Sequence, residues 1–217
     1  MSSFDAPATP NPMVPGSVLD TPPANDPIVQ TKRALRIETR ERRMARPEAE
    51  RQALGEEIAT QLRQLVTTRK ARRLAAFLST PLEPQLDPFL RWARSSGITV
   101  LLPISREDGL LDWVVDTGEY RQNEQLRVPE PVGTPVAPIE FDSVDLVICP
   151  AARVDRWGGR LGWGGGYYDR MLDSCTQCPP VYALIHDDEL VDAVPLAPHD
   201  MRVNGVVTPT RCTEFAN

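Results

Sequence analysis

The chain has 217 residues, 41% hydrophobic and 25% charged, and a net charge of −6. That length suits one domain with a sizeable core. The acidic balance excludes a surface built to coat nucleic acid or an anionic membrane, and no apolar run approaches the ~20 residues of a membrane span.

Residues 1–30 hold a disproportionate share of the 22 prolines, with Ser, Ala, Asn and Thr between them. Such a segment buries too little apolar surface to offset its ordering entropy and reads as a disordered tail. Residues 1–31 contain three aspartates (Asp5, Asp20, Asp26), no Arg or Lys, and no apolar leader, so a cytoplasmic location is expected. Residues 31–217 read as one α/β domain.

From Thr31 a helix-forming run carries Lys32, Arg33, Arg36, Arg40, Arg42, Arg43 and Arg46. Lys32, Arg36 and Arg40 share one face at spacings of four, and the other arginines of the run read as a solvated face. Pro47 suits the first turn of a second helix, in which Leu54, Ile58, Leu62 and Leu65 form a buried stripe. "LAAFLS" (74–79) and "ITVLLP" (98–103) read as buried strands around a helix over 87–97 stopped by Gly97. "LLDWVV" (110–115) reads as a side strand and "VDLVICP" (144–150) as the strongest strand of the chain. A short helix from about Tyr168 and strands at "VYALI" (181–185) and "NGVVT" (204–208) complete the pattern. Alternating strands and helices predict a mainly parallel sheet covered on both faces.

Between the 144–150 strand and the short helix lies "RLGWGGGYYDR" (160–170). Gly162, Gly164, Gly165 and Gly166 fall within five positions, a density that neither a helix nor a strand interior favours. At the carboxyl end of a parallel strand, such a loop lets backbone N–H groups approach an anion. Two familiar phosphate loops do not match. No Lys-Ser or Lys-Thr follows the glycines, and G-x-G-x-x-G fails at Tyr167. Arg160 is placed to grip two phosphate oxygens, and Asp169 is a carboxylate of the kind that holds magnesium beside a polyphosphate. Tyr167 and Tyr168 wall the pocket, stack on a ring, or belong to the core. Cys175 and Cys178 form a C-x-x-C without convincing further ligands at Cys212, His186 or His199, and read as free thiols. The two histidines read as structural or surface residues.

"GGRLGWGGGYYDRML" (158–172), after "DLVICPAARVD" (145–155), resembles the signature of 5-formyltetrahydrofolate cyclo-ligases, also called 5,10-methenyltetrahydrofolate synthetases. The resemblance runs over roughly residues 30–210. It includes a K-x-x-x-R at Lys32 and Arg36, a glutamate after the first strand at Glu83, and a closing "PHDMRVNGVVT" (198–208). It implies a three-layer α/β/α sandwich like that of ribose-5-phosphate isomerase and coenzyme A transferases. It also implies ATP-dependent closure of a formylated reduced folate. Lys32, Arg36, Arg160, Leu161, Gly162, Trp163, Gly164, Gly165, Gly166, Tyr167 and Tyr168 would hold ATP, with Lys32 and Arg160 acting in catalysis. Glu83, Gly165, Tyr167 and Tyr168 would contact the folate, and Asp169 and Asp200 would hold magnesium. The implied partners are small molecules, and a monomer is expected.

The chain departs from the family pattern in two places. "AARVDRWGG" (151–159) carries Arg153 and Trp157 where a more apolar stretch is expected, and Leu126 stands where some members place a pterin-stacking tryptophan. Tyr167, Trp113 and Trp157 are the alternative stacking partners. The first departure motivates a second reading, a non-catalytic nucleotide-binding protein on the same fold. A third, a sugar-phosphate isomerase, would act without ATP.

Overall fold

The computed structural model describes residues 26–124, 126–175, 178–198 and 200–216. Helix α1 (Pro27–Ala45) starts four residues ahead of the domain boundary expected at residue 31. Asp26 caps it, accepting the Ile28 N–H at 2.7 Å, and Pro27 occupies its first turn, where a missing N–H costs nothing. The rest of the expected tail, residues 1–25, lies outside the described residues.

After Pro47 come α2 (Glu48–Arg69), β1 (Arg73–Ala75), α3 (Asp87–Ser95), β2 (Thr99–Ser105) and β3 (Leu111–Val115). A small hairpin, β4 (Tyr120–Gln122) and β5 (Pro129–Pro131), precedes β6 (Leu146–Pro150). Then follow β7 (Arg153–Asp155), β8 (Arg160–Leu161), α4 (Tyr167–Asp173), β9 (Val181–Leu184), β10 (Leu190–Val191), β11 (Gly205–Val207) and β12 (Cys212–Glu214).

The main sheet runs β12-β11-β9-β6-β1-β2-β3. Its five inner strands are parallel, and the edges β3 and β12 are antiparallel to their neighbours. From β1 the chain builds outward to β2 and β3, then returns to the other flank of β1 for β6 and builds the opposite way. The order therefore reverses between β1 and β6, and the crevice beyond their carboxyl ends is where such sheets bind ligands.

Each inner strand buries both faces, as the near-continuous apolar runs predict. Leu74, Val100, Leu102, Leu146, Ile148 and Leu184 pack with Ile58, Leu62 and Leu65 of α2 and Phe89, Leu90 and Ala93 of α3. Their neighbours Ala75, Leu101, Val147, Cys149 and Ala183 pack against Leu172 and Met171 of α4 and Val154 of β7. The α/β architecture with a mainly parallel sheet is as expected.

Two expectations need correction. The run "LAAFLS" leaves the ladder after Ala75, yet Ala76, Phe77 and Leu78 stay buried, so an apolar run marks burial rather than ladder length. The glycine loop does not follow β6 directly either. β7 and β8 intervene as an antiparallel hairpin, joined by β10 into a second sheet on which Leu35 of α1 packs.

Candidate active site

Helix α1 reaches the crevice with an inward stripe that is polar. Lys32, Arg36, Thr39 and Arg43 recur at helical spacing along one face, and each is tied to a different segment. Lys32, 8% exposed, pairs with the Asp200 carboxylate. Arg36 donates from Nε to the Gly162 carbonyl at 2.7 Å. Burial lowers the pKa of its guanidinium, against the opposing pull of Asp200 and Asp169. Thr39 accepts from Arg153 Nε at 3.0 Å, and Arg153 also pairs with Glu38 at 2.7 Å.

Arg43 and Arg46 do not belong to a solvated face. Arg43 is 2% exposed and forms a two-pronged ion pair with Glu189, both contacts at 2.7 Å. Arg46 is largely covered and pairs with Asp188 at 2.6 Å. α1 lies across the second sheet and the 187–189 turn, so one side of the basic run faces protein. Beside this cluster His186 is buried with no partner for Nδ1, and its pKa is lowered to about 3, by burial first and then by Arg46 and Arg43.

The β7–β8 hairpin delivers Arg160 to the end of β6. Asp155 shapes that hairpin by accepting the N–H groups of Trp157 at 2.9 Å and Gly159 at 2.8 Å. Arg160 is 3% exposed, donates to Asp169 at 2.6 Å and to the Pro150 carbonyl at 3.3 Å, and keeps Nε without a partner. Beyond it the loop turns outward, with Gly164 and Gly165 exposed. Gly164 at φ +101° and Gly166 at φ +69° hold left-handed backbone that a β-branched residue resists. Arg170 locks the far side, donating to the carbonyls of Gly165 at 2.6 Å and Gly109 at 2.8 Å and lying 5.6 Å from the Tyr167 ring centre. The Tyr167 hydroxyl donates to the Arg106 carbonyl at 3.3 Å, so the β2–β3 turn is latched to the glycine loop. Nothing in the sequence distinguishes Arg170, a single arginine after the loop.

Asp169 and Asp200 meet in this crevice. Both act on Arg36, and the Met201 N–H, next to Asp200, points to Asp169 Oδ1 at 3.4 Å. No cluster of three or more His, Cys, Asp or Glu able to hold a metal occurs among the described residues. Two carboxylates nevertheless suit magnesium, which takes one or two from protein and completes its shell with phosphate oxygens and water.

Glu83 follows β1 on the other lip of the crevice. Its Oε2 accepts the Thr80 N–H at 2.9 Å, and burial raises its carboxyl pKa, opposed by Thr80 and Arg43. The Tyr168 hydroxyl is buried without a partner, and its pKa is pushed well above the ordinary value by burial, then by Cys149 and Glu83. The Tyr168 hydroxyl thus lies within electrostatic reach of both Glu83 and Arg160. A buried hydroxyl and the Arg160 Nε left unpaired are costly unless a ligand completes them.

Other residues named from the sequence lie differently. The Leu161 side chain is 1% exposed and packs with Ala152 and Val194, so only its backbone can reach a ligand. Trp163 faces α1, with the guanidinium groups of Arg43 and Arg40 at 5.1 and 5.8 Å from its ring centre. Trp113 is 7% exposed and packs against Phe141, ring centres 4.9 Å apart and planes tilted by 36°. Trp157 is 68% exposed on the hairpin turn. All four cysteines are free thiols, and His199 lies outside the described residues. No helix among the described residues is long and apolar enough to cross a membrane.

A basic, glycine-lined crevice at the switch point of a parallel sheet defines an α/β protein that receives an anionic ligand. A model of the 5-formyltetrahydrofolate cyclo-ligase family matches residues 28–209. A 5-formyltetrahydrofolate cyclo-ligase of Mycolicibacterium smegmatis is 34% identical over 193 residues, covering 84% of this chain and 95% of the relative. One from Escherichia coli K12 is 30% identical over 184 residues, covering 81% and 99%. The solved structure of a 5,10-methenyltetrahydrofolate synthetase from Aquifex aeolicus superposes with a TM-score of 0.72 at 24% identity, covering 86% of this chain and 93% of that one. The chain belongs to the 5-formyltetrahydrofolate cyclo-ligase family.

Proposed function

We propose that this protein closes the ring of 5-formyltetrahydrofolate to 5,10-methenyltetrahydrofolate, converting ATP to ADP and phosphate. One observation carries the reading beyond family membership. Beside Lys32 and Arg36 at the glycine loop, the Arg160 Nε and the Tyr168 hydroxyl are buried without partners, which supports a site whose polar groups are completed by bound ligands.

An N-formyl group is an amide and a poor electrophile, and its oxygen leaves well only as phosphate. In the proposed reaction the formyl oxygen attacks the γ-phosphorus and the bond to ADP breaks. The neighbouring nitrogen then attacks the formyl carbon and loses its proton, and the carbon–oxygen bond breaks to release phosphate. The work asked of the protein is alignment and charge neutralisation. Lys32, Arg36 and Arg160 neutralise the phosphates, and the loop backbone approaches them without Cβ obstruction. Glu83 and Tyr168 orient the pterin, with Gly165 and Tyr167 at its edge. Asp169 and Asp200 would hold magnesium, which supplies charge compensation on the phosphates when bound.

The departure at Arg153 has a structural reason, since that side chain pairs with Glu38 and Thr39 of α1. The test is growth of the methenyl absorbance from 5-formyltetrahydrofolate, with and without ATP and magnesium. A rise only with ATP is expected. A rise independent of ATP, or none, rejects the proposal.

A further inference from the structure

Arg43 is the most deeply buried cation of α1, and its contacts extend beyond its counter-ion. Besides Glu189 it donates to the carbonyl of Leu82 at 3.1 Å and to that of Ala151 at 2.9 Å. Leu82 directly precedes Glu83 in the loop after β1, and Ala151 directly follows β6. These are the two strands that flank the switch point. On its third side the guanidinium lies 5.1 Å from the ring centre of Trp163, inside the glycine loop. One planar cation with five donors therefore spans three separate parts of the site. Glu189 takes only part of the five donors, and the rest are spent on carbonyls that lie on either side of the switch point.

We infer that Arg43 is a positioning residue of the ring-closing reaction, fixing the spacing between the Glu83 loop and the glycine loop so that the two bound ligands are aligned. The inference rests on the cyclo-ligase reading. Small errors in such alignment are costly, because a misplacement of about 1 Å is worth ~10²-fold in rate. Lysine keeps the charge but cannot fork across two carbonyls and an ion pair at once. Lys32 and Arg36 would meet the phosphates from other positions on α1 that Arg43 does not contact, so ATP affinity is expected to fall far less than turnover.

The test compares Arg43→Lys, Arg43→Gln and Glu189→Gln with the parent protein at a temperature where circular dichroism shows each folded. ATP binding is measured by calorimetry and turnover by methenyl absorbance. The Arg43 variants are expected to bind ATP within ~3-fold of the parent. They should lose ~10²-fold in kcat and raise KM for the folate ~10-fold or more. Glu189→Gln keeps the guanidinium on Leu82 and Ala151, so it should lower the melting temperature yet retain turnover within ~3-fold. Three results overturn the inference: kcat within ~3-fold of the parent in a folded Arg43 variant, losses that follow melting temperature equally across all three variants, or failure of both Arg43 variants to fold. If the parent itself forms no methenyl product with ATP, the cyclo-ligase reading fails; a working parent with indifferent Arg43 variants sinks this inference alone.

Discussion

Lys32 and Asp200 stand 168 positions apart in the sequence and form a shielded ion pair at the mouth of the crevice. The pair joins the first helix to the segment before β11, and each partner is one that the proposed reaction needs for a different ligand. In the proposed reaction Lys32 would serve phosphate and Asp200 magnesium, so binding of nucleotide and metal would part the pair.

The exchange gives the first prediction. Lys32→Ala should weaken ATP binding by about 10–10²-fold, the worth of one charge-assisted phosphate contact. Folate binding should change little. Arg36→Ala should cost more, because it also frees the Gly162 carbonyl and loosens the loop. Calorimetric titration of each ligand separates the cases. Equal loss for both ligands would mean a folding defect, and no loss would make the two residues bystanders.

Gly164→Val should abolish turnover in a folded protein. A Cβ there meets the Arg36 guanidinium at 3.4 Å, ordinary contact, so the penalty comes from φ +101° and from the blocked approach to phosphate. Losing one preorganised donor costs ~10²–10³ in rate. Gly166→Val should also destabilise the start of α4, because its Cβ would lie 2.8 Å from the Arg170 guanidinium at φ +69°. Turnover and thermal melting of the two variants distinguish a ligand effect from a folding effect.

Removing residues 1–25 should leave melting temperature and turnover unchanged, since they carry none of the proposed ligands. Removing residues 1–29 should lower the melting temperature by about 2–4 °C, because it deletes the Asp26 cap, worth ~1 kcal/mol. Identical melting of the two truncations would show that the cap contributes nothing.

His186 sets a pH dependence. Its pKa in the fold is about 3, below the ordinary value of 6.5, so the folded state resists its protonation. Its contribution is fully present above pH ~6.5 and is lost as pH falls toward 3, at a slope approaching ~1.4 kcal/mol per pH unit. His186→Gln should flatten the stability curve over that window relative to the parent. Parallel urea-denaturation curves for parent and variant from pH 7 to pH 4, taken as about one point per unit, would contradict this.

The parallel sheet was legible because its inner strands are apolar on both faces. "VDLVICP" and "VYALI" announce burial without structural context. The β7–β8–β10 sheet was not legible, since its strands have only two or three residues and Arg153, Asp155 and Arg160 break any alternation. Helix α1 misled for a related reason. Its buried residues are Lys32, Thr39 and Arg43, so an inward face read by hydrophobic periodicity is invisible. In the site, the glycine loop and Asp169 stood out from residue types alone. Arg43, Arg153 and Arg170 matter through carbonyls and carboxylates that only the fold brings to them.

The central claim is that this crevice activates the formyl group by moving its oxygen onto phosphate. The direct test is turnover of 5-formyltetrahydrofolate carrying ¹⁸O in the formyl group, with mass analysis of the inorganic phosphate released. The account predicts one ¹⁸O in each phosphate formed alongside methenyl product. Unlabelled phosphate from a reaction that still makes methenyltetrahydrofolate would contradict it.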